Sequence, residues 1–240
     1  MNQSPARVAC KIIGIVTTCF VVAAPAISQG ASGLQCPAGY WLYGSLCLDN
    51  TSGDVVYASA PKAAAAQLKF EIKPVAERKL AQLPAGPLFW QVQNFPTLAQ
   101  AQAAAGPTAL TAEVSGKVWL FTLGPMGGSA PGGSKVVEIG PVPRIAAPEY
   151  LLRINHAGGP PGAKTPVHTH PGSEAFYVLA GRLGQRTPHG VSHAAAGQSM
   201  NGHGADMPME VFSAGTTDLD QLVMFVVDAT RPFSSPAKFE

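Results

Sequence analysis

The chain has 240 residues, 12% of them charged, and a formal net charge of +2. No basic cluster or stripe accompanies that small excess, which argues against nucleic acid or an anionic membrane surface as a partner. Gly (26) and Pro (22) are numerous, but they punctuate apolar runs, so the composition argues for many short strands joined by turns.

Arg7 and Lys11 precede an apolar run over 12–24, followed by small residues at Ala24, Ala26 and Ser28. This order reads as a secretory signal peptide over 1–28, which places the mature chain in the periplasm or outside the cell. A retained membrane anchor is the weaker reading, because the run is shorter than the ~20 apolar residues a span needs and Pro25 follows it. The mature chain is therefore expected to have no membrane span. Cys10 and Cys19 leave with the signal, and an even remainder, Cys36 and Cys47, favours a disulfide in an exported protein. Closing a loop of this length is worth about 3 kcal/mol. A metal site built on the two cysteines would need a second pair, which the sequence lacks.

The organisation changes near residue 115, giving an α+β extension over 29–115, a β-domain over 116–232 and a tail over 233–240. Ala63–Ala66, and Pro74 at a first helical position, predict one or two short helices within 58–82. Residues 88–95 alternate as a strand. Thr97 and Gln100 form a capping box, and Gly106-Pro107 ends the helix after Ala105. Residues 117–124 and 135–139 read as strands on either side of a loose Gly/Pro/Ser loop. Strands then recur at 149–155, 165–170, 174–180, 182–187, 190–194, 208–213 and 221–228, the rhythm of a β-sandwich or small barrel. The apolar run 222–227 is continuous enough to be buried on both faces.

One segment carries chemistry. His168 and His170 are two apart, so an extended backbone points them the same way. Pro171-Gly172 then turns the chain and can bring Glu174 back beside them. Two imidazoles and a carboxylate form the ligand set of many zinc and non-haem iron sites. The spacing, Gly162, five residues, His168-x-His170, three residues, Glu174, six residues, Gly181, resembles the first signature of the cupin family. That resemblance implies a jelly-roll barrel with one ligand cavity over roughly 117–230, and a single metal ion held by these residues. The family's second signature is degenerate here. Forward counting from Gly197 puts Pro208 at the third histidine; backward counting from Ser213-Ala-Gly215 puts Met209 there. Met209 is thus the predicted fourth member of the metal set, with Met207 and His203 as the other candidates.

Phe176, Tyr177, Trp119 and Phe225 are expected in the barrel core and cavity wall, and His156, His189 and His193 in solvated turns. No Arg or Lys in the motif segments anchors an anionic substrate; Arg153 and Arg182 could do so only if turned inward. The leading expectation is an exported cupin holding one copper, iron, manganese or zinc ion, without an organic cofactor. One alternative is a dioxygenase-like oxidoreductase acting on a small organic molecule. Another is a non-enzymatic cupin that binds copper, for which a thioether is suited, or a small molecule. Catalytic residues, substrate and a homodimeric state are left open.

Overall fold

The computed structural model describes Cys36, 40–43, 46–49, Ser52, 55–57 and 68–239. The expected signal peptide and the Ala63–Ala66 run lie outside the described residues. The chain divides into two compact units, 1–66 and 67–240. In the first, β1 (Tyr40–Tyr43), β2 (Leu46–Asp49) and β3 (Val55–Tyr57) form an antiparallel sheet in that order. Cys36 is bonded to Cys47 on β2, with the two Cα atoms 5.4 Å apart.

The second unit is almost entirely β. Its first element corrects the sequence reading: residues expected to be helical form β4 (Glu71–Leu80), paired antiparallel with β9 (Tyr150–Gly159). Pro74 is tolerated because β4 is the last strand of its sheet and a bulge follows between Pro74 and Ala76; a sheet edge does not require the N–H that proline lacks. Pairing along the whole length of β9 outweighs the local helix signal. The next elements are β5 (Phe89–Phe95), α1 (Leu98–Ala104), β6 (Ala109–Val114), β7 (Lys117–Gly124) and β8 (Ser134–Ile139). Thr97 caps α1 as expected, its side chain accepting the Gln100 N–H. After β9 come β10 (His168–Thr169), β11 (Gly172–Ala180), β12 (Arg182–Thr187), β13 (Gly190–Ala195), β14 (Ser199–Asn201), β15 (Glu210–Ser213), β16 (Leu219–Asp228) and β17 (Ser235–Pro236). No helix among the described residues is long and apolar enough to cross a membrane.

These strands form three layers. The central sheet runs β14-β11-β16-β9-β4, flanked by β6-β7-β5-β8 on one side and β13-β12-β15 on the other. The strand period of two sorts the central side chains between them. Leu152, Ile154, Ala175, Leu222, Met224 and Val226 pack with Trp90, Trp119 and Phe121 of the β5–β8 sheet. Phe176, Val178, Val223, Phe225 and Val227 face the other way, toward Leu183, Ala194 and Val211. Burial on both faces is what the continuous 222–227 run predicted.

The second side of this sandwich is the barrel, and its boundaries differ from those expected. Strand β4 belongs to the barrel sheet, although it lies in the segment assigned to the extension. Strand β7, assigned to the barrel, belongs to the outer sheet instead. Trp119 and Tyr177 accordingly pack together in the outer core, with ring centroids 6.1 Å apart, and do not line the cavity. The supposed tail is also built in, since β17 pairs with β10 through His168–Pro236 and Thr169–Ser235.

Candidate metal and ligand cavity

The barrel encloses a cavity of about 590 Å³ between the central sheet and the segment leading into β10. His168 and His170 stand on its wall, their rings nearly perpendicular and 4.9 Å apart between centroids. Two backbone contacts fix them. His168 Nδ1 lies 2.8 Å from the Pro166 carbonyl and His170 Nδ1 lies 2.7 Å from that of Phe233. A carbonyl can only accept, so each Nδ1 carries the hydrogen, and in the neutral ring Nε2 is a bare lone pair. This outer hydrogen bond is the arrangement that orients metal-ligating histidines.

His170 is clamped between Phe225 and Phe233, at 4.9 and 4.8 Å. Burial there lowers its pKa to about 4; the Phe233 carbonyl opposes the shift, and the charges of His168 and Arg153 add to it. It is therefore a neutral imidazole at any ordinary pH.

Glu174, on β11 of the central sheet, also lines the cavity and is buried at 2% exposure. Loss of hydration raises its pKa to about 8, with the amide of Gln185 pulling the other way by donating to the carboxylate. Gln185 is a site residue that the sequence reading passed over. Its signal was available: in β12 it shares a face with Leu183 and Thr187, all three buried, so a polar side chain sits at an inward position.

The third-histidine candidates fall elsewhere. Met209 pairs its backbone with His168 through bonds of 2.8 and 2.9 Å. Its sulfur lies 3.5 Å from the Gln185 amide and does not line the cavity. Met207 is half-buried off the cavity lining, and His203 stands beside His189, 6.2 Å away between centroids. Among the described residues, no three His, Cys, Asp or Glu side chains gather as a ligand set. The structure brings His168 and His170 together and places Glu174 near them, but turns its carboxylate toward Gln185.

The rest of the wall is apolar apart from a few polar groups. Arg153 does turn inward, with its guanidinium 4.0 Å over the Phe233 ring and paired with Glu77. Lys164 pairs with Glu210 at 2.8 Å. Arg182 is exposed on β12 and plays no part here. His189 is exposed in a turn as expected; His193 is exposed but lies on β13, and His156 is half-buried on β9, with Nε2 2.5 Å from Asp220 Oδ1.

Antiparallel sheets pack around a cavity that His168, His170 and Glu174 line. The fold is mainly β, of the jelly-roll barrel kind. No protein-family model matches the chain, and no curated protein matches it. Solved structures that overlap it include the DMSP lyase DddQ from Ruegeria pomeroyi, at 21% identity over 36% of this chain and 43% of that one, with a TM-score of 0.32. The polyketide cyclase RemF from Streptomyces resistomycificus overlaps at 19% identity over 37% and 62%, with a TM-score of 0.31. A cupin superfamily protein from Desulfitobacterium hafniense overlaps at 13% identity over 32% and 68%, with a TM-score of 0.29. The chain spans less than half the length of the DMSP lyases it overlaps.

Proposed function

We propose that this chain is an exported metal-binding cupin that holds one transition-metal ion through His168 and His170, with Glu174 becoming the third protein ligand by turning its carboxylate from Gln185 toward the ion. One observation carries the reading: both imidazoles spend Nδ1–H on backbone carbonyls, which leaves two oriented Nε2 lone pairs on one cavity wall. Burial of Glu174 on the same cavity supports it, because a carboxyl kept neutral by burial becomes ionised when a cation supplies the missing charge. With the Met209 sulfur off the cavity lining, the donors are two nitrogens and an oxygen. Such a set favours iron, manganese or zinc over Cu(I).

The test is metal loading of the metal-free protein, read by elemental analysis and calorimetry. His168→Ala/His170→Ala is expected to lose stoichiometric binding and keep its cooperative unfolding. Stoichiometric metal in the double variant would refute the assignment.

A second reading, a metal-dependent oxidoreductase acting on a small organic molecule, is favoured by the cavity beside the pair. Its volume of about 590 Å³ and its Phe70, Phe176 and Phe225 walls suit a small apolar body. The bound metal would supply Lewis acidity and open positions for substrate and oxygen. Export rests on the order of basic, apolar and small residues over 1–28. Intact-mass measurement is expected to find a mature N-terminus between residues 26 and 31; retention of the first 25 residues would refute it.

A further inference from the structure

Two residues that line the cavity carry three buried polar atoms with no hydrogen-bond partner among the described residues: Gln221 Oε1, Gln221 Nε2 and Asn155 Oδ1. Gln221 is 0% exposed and Asn155 3%. Leaving such groups unpaired is costly, on the order of 1–3 kcal/mol each, and native interiors seldom carry several together. Both residues belong to the barrel face of the central sheet. Asn155 pairs with Val223 of β16, two residues from Gln221, so the two amides are diagonal neighbours on adjacent strands.

Their position relative to the histidine pair is set by register. Glu174 lies opposite Phe225, and Gln221 lies opposite Val178. Four residues of β16 therefore separate the two levels, roughly 13 Å at about 3.3 Å per residue. Phe176 and Val223 line the stretch between them. Asn155 stands at the level of Phe176 and Val223, and Gln221 lies one level further from the histidine pair, so the two amides and the apolar Phe176 and Val223 side chains share the far part of the cavity.

We propose that Gln221 and Asn155 form a subsite for an uncharged primary carboxamide carried on an apolar body. Their two unpartnered oxygens can take the two N–H groups of a primary amide, while Gln221 Nε2, which carries two N–H bonds, donates to its carbonyl. A carboxylate presents only acceptors and would set its oxygens against those of Gln221 and Asn155. Among the described residues lining the cavity, Arg153 and Lys164 are each engaged by a carboxylate and do not offset that repulsion. A lone hydroxyl has one hydrogen for two acceptors. This inference rests on the cavity being a ligand site, as proposed above, but uses none of the metal-binding residues.

The probes are benzamide and cinnamamide, with benzoate and cinnamate as their isosteric anions, titrated into the mature protein by calorimetry. At least one amide is expected to bind, and its carboxylate to bind at least about tenfold more weakly, the discrimination that unpaired buried groups impose. Gln221→Leu and Asn155→Leu are each expected to weaken amide binding by about tenfold or more, while the melting temperature holds or rises, since each removes an unpaired buried amide. His168→Ala/His170→Ala is expected to keep amide binding whatever happens to metal, so failure of the metal reading and failure of this one are read separately. The proposal is overturned if neither amide binds, if the carboxylates bind equally well, or if both leucine variants bind amide as the wild type does. Should either leucine variant fail to fold, Gln221→Met, an unbranched apolar replacement, decides the point by the same criterion.

Discussion

Replacing Glu174 by Gln isolates the least comfortable group in the barrel. The carboxyl is buried, and its pKa is raised from 4.5 to about 8, chiefly by loss of hydration. A raised acid favours the fold below its unfolded pKa and loses that contribution as pH climbs through the folded value. At pH 7 the unfolded chain ionises Glu174 and the folded chain keeps it protonated. That is about two and a half pH units at about 1.4 kcal/mol each, or about 3 kcal/mol of stability lost relative to pH 4.5. Gln keeps the shape and can still accept from the Gln185 amide, but cannot ionise. Metal-free Glu174→Gln and wild type are therefore expected to be similarly stable at pH 5, with the variant ahead by about 3 kcal/mol near pH 7 to 8. Denaturant unfolding across pH 5 to 8 measures this. The same carboxyl is expected to release about one proton when the wild type takes up metal at pH 7. Calorimetry in two buffers of different ionisation enthalpy should show that release falling by about one in the variant. Parallel stability curves, or equal proton release, would mean that Glu174 is already ionised in the fold and the reasoning is wrong.

Other perturbations separate the cavity from its scaffold. His170 acts in the opposite sense to Glu174: its pKa is lowered to about 4, so its contribution is present above pH 6.5 and is lost as pH falls through 4, and His170→Phe should flatten metal-free stability over that range. Gly172→Ala would place a Cβ 2.1 Å from the Val226 carbonyl oxygen; unfolding measurements should show a loss of about 2–4 kcal/mol, because backbone on the neighbouring strand cannot yield cheaply. Trp119→Ala is expected to cost about 3–5 kcal/mol yet leave metal affinity unchanged, since Trp119 packs on the outer face of the central sheet. Met209→Leu should leave the preference among iron, manganese and zinc unchanged in competition titrations, because its sulfur faces Gln185 and not the cavity.

Local pattern alone determined a good deal. The His-x-His spacing, the turn at Pro171-Gly172 and the apolar alternation after it are properties of adjacent residues, and His168, His170 and Glu174 do line one cavity, although the Glu174 carboxylate is held by Gln185. The capped helix after Thr97 and the doubly buried run at 222–227 were legible for the same reason. Long-range pairing decided the rest. Pro74 signals a helix start until β9 offers an edge along which the segment can pair, and no nearby residue announces that partner. Trp119 and Tyr177 look like barrel residues until the outer sheet claims the opposite face of the central one. Met209 sits where a third ligand would be counted, yet its hydrogen bonds to His168 fix a backbone that leaves its sulfur behind Gln185. The unpartnered amides of Gln221 and Asn155 were out of reach for the same reason: a sequence shows which residues are polar, and only the packed barrel shows which of them have been left without a partner.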